Sequence, residues 1–224
     1  MMAVPPSPES RVLIRLIVLA VLVLAGWPVP PAAAHPHAWI DVRVAVLFEA
    51  GRIVGLRQTW LFDEYYTAFA TEGFDRDRDG RPDRDQLDAL LAENLRNLAD
   101  YDTFTRVTAA GQRVAVAAPV EASSRMVGSR LEMSFRLPLK APVRPEGVVE
   151  YAIFDPTYYI EMLHAEAPDA VRLVGAPAGC RHEIVVPSPS LETVTLAQAL
   201  DRTQKGGDGL GAEFAERVEI RCGR

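Results

Sequence analysis

Between residues 38 and 62, apolar side chains fall on alternate positions. Ile40, Val42, Val44 and Val46 mark one run, Glu49-Ala50-Gly51-Arg52 interrupts it, and residues 53–62 carry the return. A period of two over runs of this length predicts a hairpin of half-buried strands. The rhythm then changes. Tyr65, Tyr66, Phe69 and Ala70 are spaced for one helix, and Leu87, Leu90, Leu91, Leu95 and Leu98 form a stripe at three- and four-residue steps for another. Residues 63–101 therefore read as a helical insertion. From Thr103 the strand rhythm resumes: residues 104–108 face 114–118 across Ala110-Gly111-Gln112, then Leu131, Met133, Phe135 and Leu137 alternate. Residues 148–154, 171–174, 183–186 and 216–222 add further short strands, and the glycine-rich stretch 203–211 reads as a loop. This order predicts an α+β class: a mainly antiparallel, β-sandwich-like domain with a helix–loop–helix insertion.

The first 34 residues break this pattern and read as an export signal. Arg11 and Arg15 precede an unbroken apolar run over 16–25, and Ala32-Ala33-Ala34 supplies small residues for cleavage. The run is shorter than the roughly 20 residues a membrane span needs, so a retained anchor is the weaker reading. Removing 1–34 takes Arg11, Arg15 and Glu9, and the charge goes from −6 to −7. An acidic exported chain does not suit nucleic acid or direct membrane insertion. Residues 35–224 make one periplasmic domain. Cys180 and Cys222 are its only cysteines. In an oxidising compartment such a pair predicts a disulfide, and a soft-metal dithiol site is the alternative.

The polar loop of the insertion carries the sharpest chemical pattern. In Asp75-Arg76-Asp77-Arg78-Asp79-Gly80, oxygens recur at alternate residues and a glycine stands where the chain must turn. This is the ligand spacing of an EF-hand-like calcium loop, with Asp75, Asp77, Asp79, the Arg81 carbonyl, Asp83 and Gln86 as ligands. Gln86 gives one neutral oxygen where a glutamate would give two charged ones. Affinity of about 10⁻⁴ to 10⁻³ M and a structural role for Ca²⁺ follow. The competing reading is a solvated acidic turn relieved by Arg76, Arg78, Arg81 and Arg84; Asp83 and Gln86 also have the form of a capping box that starts the next helix, a role compatible with ligation.

Histidines supply a second constellation. Cleavage after Ala34 would start the chain His35-Pro36-His37, with a free amine and two imidazoles, a donor set for zinc, nickel or copper. Trp39 and Asp41 would share the strand face of these histidines. Glu161 and His164 would share a face on a helix and oppose each other on a strand, and the sequence leaves 154–164 open between the two. Asp155 before Pro156 reads as a turn cap, and Asp63 with Glu64 as the start of a helix. No nucleophile elbow, zinc-protease helix or serine–lysine pair is present, so an enzyme is not expected.

An export signal, His-Pro-His-Ala-Trp-Ile-Asp at 35–41, Thr-Trp-Leu-Phe-Asp-Glu-Tyr-Tyr at 59–66, the Asp-rich loop and Phe-Asp-Pro-Thr-Tyr-Tyr at 154–159 together resemble the family called domain of unknown function 1007. The matching positions are His35, His37, Asp41, Asp63, Asp155 and Tyr158. The resemblance covers the whole exported chain. It implies a periplasmic accessory to ABC-type or nickel/cobalt-type transport that handles Zn²⁺ or Ni²⁺/Co²⁺ as cargo for a membrane metal permease. The alternative is a calcium-braced extracytoplasmic interaction domain with no cargo. The oligomeric state is not legible.

Overall fold

The computed structural model describes residues 36–200, 204, 206, 207 and 209–223. The export segment, His35 and part of the glycine-rich stretch 203–211 lie outside the described residues. Ala34–Arg224 group as one unit. The architecture is α+β and mostly strand, in two sheets with the core between them.

The first sheet is built on β1 (Ala38–Glu49) and β2 (Arg52–Phe62), paired antiparallel with Ile40 opposite Phe62 and Glu49 opposite Arg52. The two-residue turn holds Ala50 at φ 47° and Gly51 at φ 74°, the double left-handed conformation whose twist suits a tight hairpin. Beyond β2 come β6 (Arg130–Val143) and β5 (Val120–Val127). On the far side of β1, β8 (Ile160–His164) pairs with its first half and β9 (Val171–Val174) with its second, both parallel. The second sheet is antiparallel, in the order β10 (Cys180–Val185), β11 (Arg217–Cys222), β7 (Val148–Ile153), β3 (Thr105–Ala109) and β4 (Gln112–Val114).

Alternation sorts each strand. Ile40, Val42, Val44 and Val46 point inward with Leu131, Met133, Phe135 and Leu137, and meet Val107, Val149, Tyr151, Val218 and Ile220 from the other sheet. One polar side chain is fully buried among them. Gln58 donates to Thr105 Oγ1 at 2.9 Å and accepts from Trp60 Nε1 at 2.9 Å. Satisfying both ends of that amide removes the penalty of burying it, which would otherwise run to about 1–3 kcal/mol.

The insertion is α1 (Glu64–Ala70), the acidic loop, α2 (Arg84–Asn97) and a kinked 3₁₀ segment, Ala99–Phe104. Asp63 starts α1 as expected, its Oδ1 accepting from Tyr66 N at 2.9 Å while Oδ2 accepts from Trp39 N. Buried Thr67 pins α1 to β6 by accepting from Leu131 N at 3.0 Å, and Ser124 of β5 donates to the Leu87 carbonyl of α2 at 3.1 Å.

Three elements were not legible from spacing: β5, α3 (Leu191–Ala199) and α4 (Leu210–Phe214). β5 is a polar edge strand with little apolar alternation, and α3 leaves Leu191 and Leu196 exposed. α4 replaces the end of the predicted loop. No helix among the described residues is long and apolar enough to cross a membrane.

Candidate metal centre

The acidic loop closes on itself at its base, where Asp83 N donates to the Phe74 carbonyl at 2.6 Å. Inside it, Gly80 N donates to Asp75 Oδ2 at 3.0 Å and Arg81 N to Asp79 Oδ1 at 2.8 Å. Gly80 sits at φ 83°, and a β-carbon there would meet nothing within 4 Å. Its glycine is therefore required by backbone conformation, not by crowding. The result brings carboxylate oxygens of Asp75, Asp77 and Asp79 within 4.8 Å of one another. Two oxygens of the loop and its exit helix, Asp75 Oδ1 and Gln86 Oε1, are shut off from solvent with no hydrogen-bond partner among the described residues. They occupy the first and last positions of the predicted ligand set. Burying an unsatisfied oxygen costs about 1–3 kcal/mol, and an ion between the two would remove that cost.

Asp83 does not join this cluster. Its Oδ2 is held by Arg76 Nε at 2.6 Å, and Arg76 reaches on to Asp85 at 2.7 Å. The Arg76 hydrogen bond holds the Asp83 carboxyl below its ordinary range, and the same two carboxylates push the Arg76 guanidinium up. The capping box also fails. Asp83 is the residue before α2, yet its side chain makes no cap hydrogen bond, and the amide that Gln86 would reach back to is spent on Phe74. Relief of charge in the loop thus falls chiefly to Arg76.

Among the described residues, the fold draws Asp41 and His164 away from His37. His37 precedes β1, donating its N–H to the Tyr159 carbonyl at 2.9 Å, with its ring 4.6 Å from the Tyr159 ring. Asp41 lies four strand residues further, about 13 Å away at the rise of a strand, and is paired with Arg130 at 2.8 Å. It is therefore not a co-ligand of His37. His164 is not available either. Its Nδ1 is 2.8 Å from Glu216 Oε2 and its Nε2 is 3.1 Å from the Tyr151 hydroxyl, in the interior between the sheets. Because residues 160–164 are a strand, Glu161 and His164 point to opposite sides, and their proposed joint ligation is corrected on that ground. Glu161 instead faces outward opposite Trp39, its Oε1 accepting from the Tyr158 hydroxyl at 3.3 Å.

Asp155 is structural. Its two oxygens accept from Thr157 N, Thr157 Oγ1, Tyr159 N and Ile160 N at 2.9–3.1 Å. Glu216 does the same for the other end of β8, accepting from His164 N at 2.7 Å. Burial raises the Glu216 carboxyl, but the hydrogen bonds from His164 outweigh it and leave it lowered. Burial and then the Glu216 charge push Tyr151 well up. Tyr158 is raised to about 12 by burial, the Glu161 charge and their hydrogen bond. Glu216, Tyr151 and Arg130 were missed as site neighbours, whereas Arg76 was expected only as one of four arginines relieving the loop. Only Arg76 had a local signal, its interleaving with the loop aspartates; His164 and Glu216 are 52 residues apart.

Cys180 and Cys222 are bonded, directly opposite each other on β10 and β11.

The chain is similar to a Haemophilus influenzae (strain ATCC 51907 / DSM 11121 / KW20 / Rd) protein described as "Uncharacterized protein", 25% identical over 193 residues, which cover 84% of this chain and 91% of that one. No solved structure matches. The family model described as "Protein of unknown function (DUF1007)" matches residues 19–222, with the acidic loop, the Asp155 turn and β1 all inside the match. The chain belongs to the DUF1007 family.

Proposed function

We propose that the protein is an exported, periplasmic cation-binding domain whose helix–loop–helix insertion holds one Ca²⁺ as a structural brace. The observation that carries the reading is the pair of solvent-excluded oxygens, Asp75 Oδ1 and Gln86 Oε1, on a loop that already gathers Asp75, Asp77 and Asp79 within 4.8 Å. Calcium takes six to eight oxygens at flexible geometry, and the Arg81 carbonyl would add one more. Asp83 stays with Arg76 on the outside. The disulfide and the sequence features of residues 1–34 support export.

Melting curves with and without calcium test this. At about one hundred times the dissociation constant, binding to the folded state alone adds about 2.7 kcal/mol. That corresponds to roughly 5–11 °C at this size. The Asp75→Ala/Asp79→Ala variant should melt at the same temperature in calcium and in chelator. A wild type indifferent to 10 mM calcium would refute the site.

A second reading concerns cargo. Glu161 is opposite Trp39 in the register, and by alternation His37 falls on the same face, so a carboxylate and an imidazole stand on one rim. With His35 and a new terminal amine, the rim would take Zn²⁺ or Ni²⁺/Co²⁺ as substrate and pass it to a membrane permease. Calorimetric titration with zinc tests it: wild type should bind at about 10 μM or tighter, roughly −7 kcal/mol, and His35→Ala/His37→Ala should lose at least tenfold. Equal binding by both proteins would remove the rim from consideration.

A further inference from the structure

A cavity of about 110 Å³ lies between the helical insertion and the first sheet. Trp60, Phe62, Phe104 and Phe135 form its walls, with Met133 at the floor. The rings are mutually arranged: Trp60 meets Phe135 edge to face at 5.0 Å and lies parallel to Phe104 at 6.4 Å. The roof is helical, from Tyr66 of α1 and Leu95 of α2. A mostly apolar hollow of this kind leaves its lining atoms short of contacts, and an engineered enclosed cavity of about 150 Å³ takes up benzene.

Two features distinguish it from a packing defect. The first is a polar handle. Asn94 lines the cavity, and its Nδ2 is given to Met133 Sδ at 3.8 Å, a weak acceptor for a part-buried amide. The second is strain. Asp102, Thr103 and Phe104 stand consecutively at φ 50°, 53° and 54°, a left-handed run of non-glycine residues that includes a β-branched one. Such a run is strained, and strain of this kind clusters at ligand sites. Here it delivers the Phe104 ring to the cavity wall.

We infer that this cavity is a binding site for a small neutral aromatic molecule, one six-membered ring with a single hydrogen-bonding group directed at Asn94. Aromatic walls favour a ring edge or face over an alkyl chain, the volume admits a single ring, and Asn94 donates to the ring's oxygen. The site does not depend on calcium in the acidic loop.

Phenol and benzene serve as probes, read by NMR of the methionine methyls, with Met133 in the cavity and Met126 on β5 as the internal reference. Phenol should shift Met133 saturably and leave Met126 in place, and benzene should bind more weakly. Asn94→Ala should weaken phenol at least fivefold and leave benzene unchanged. Leu95→Phe, which fills the cavity, should abolish both. Leu98→Phe is the substitute if the melting curve shows that the first does not fold. Absence of any Met133 shift, equal shifts at both methyls, or binding retained in the filled variant would overturn the proposal. Phenol affinity unchanged in Asn94→Ala would overturn the assigned ligand class.

Discussion

Gln86 occupies the loop position where the proposed calcium site would gain most from a charge. Its oxygen is turned in, away from water, with no competing donor among the described residues. Gln86→Glu should therefore tighten calcium binding by about tenfold, since a bidentate carboxylate replaces one neutral oxygen. Calorimetry reads this directly, and unchanged affinity would show that residue 86 is not a ligand. Aspartates a few positions apart have different duties for reasons a linear pattern does not encode. Asp63 caps a helix and Asp155 ties a turn, both of which their neighbours announced: Glu64 in a first turn, Pro156 after the turn residue. Asp83 had the spacing of a ligand and lost that role to Arg76, whose reach back across the loop depends on the loop's closure. His164 shows the same limit. It is a zinc-type donor in the sequence and an interior hydrogen-bonding group in the molecule.

At the scale of elements, strands with clean alternation were legible and elements stabilised by neighbours were not. β1, β2, β6 and β7 follow their apolar period, because a two-residue repeat on a pleated strand can bury only one face. β8 was ambiguous at five residues; parallel pairing with β1 decided it. Its two ends are then closed by carboxylates, Ile160 N to Asp155 and His164 N to Glu216, which also blunts an edge strand against stray pairing. α4 owes its seat to close approach. A β-carbon on Gly211 would stand 1.8 Å from the Asp155 carbonyl oxygen. Gly211→Ala should thus cost about 1–3 kcal/mol by forcing the turn and helix apart. Thermal unfolding checks this, with a loss of several degrees expected; an unchanged melting temperature would mean that α4 does not pack on the turn.

For the whole molecule, the disulfide joins two strands already in register, β10 at an edge and β11 within the second sheet. It closes a separation of 42 residues that contains α3, α4 and the glycine-rich stretch. In the chain-entropy account such a loop is worth about 4 kcal/mol, because the unfolded chain loses freedom that the folded chain never had. Cys180→Ser/Cys222→Ser should unfold roughly 8–16 °C lower, with the two sheets retained at low temperature by far-ultraviolet circular dichroism. Equal stability of the serine variant and the wild type would contradict this.

By itself the sequence determined what is periodic or contiguous: the α+β class, the central hairpin, the insertion at 63–101, the acidic loop with its glycine, and the family resemblance. Each is written in neighbouring residues, where spacing alone fixes which side chains share a face or a turn. Tertiary structure decided what joins distant segments: which strand flanks β1, which carboxylate holds His164, that Arg76 takes Asp83, and that a left-handed run at 102–104 walls a cavity under the helices. Those outcomes depend on shape and on competition among partners far apart in the chain, and neither leaves a mark in local spacing.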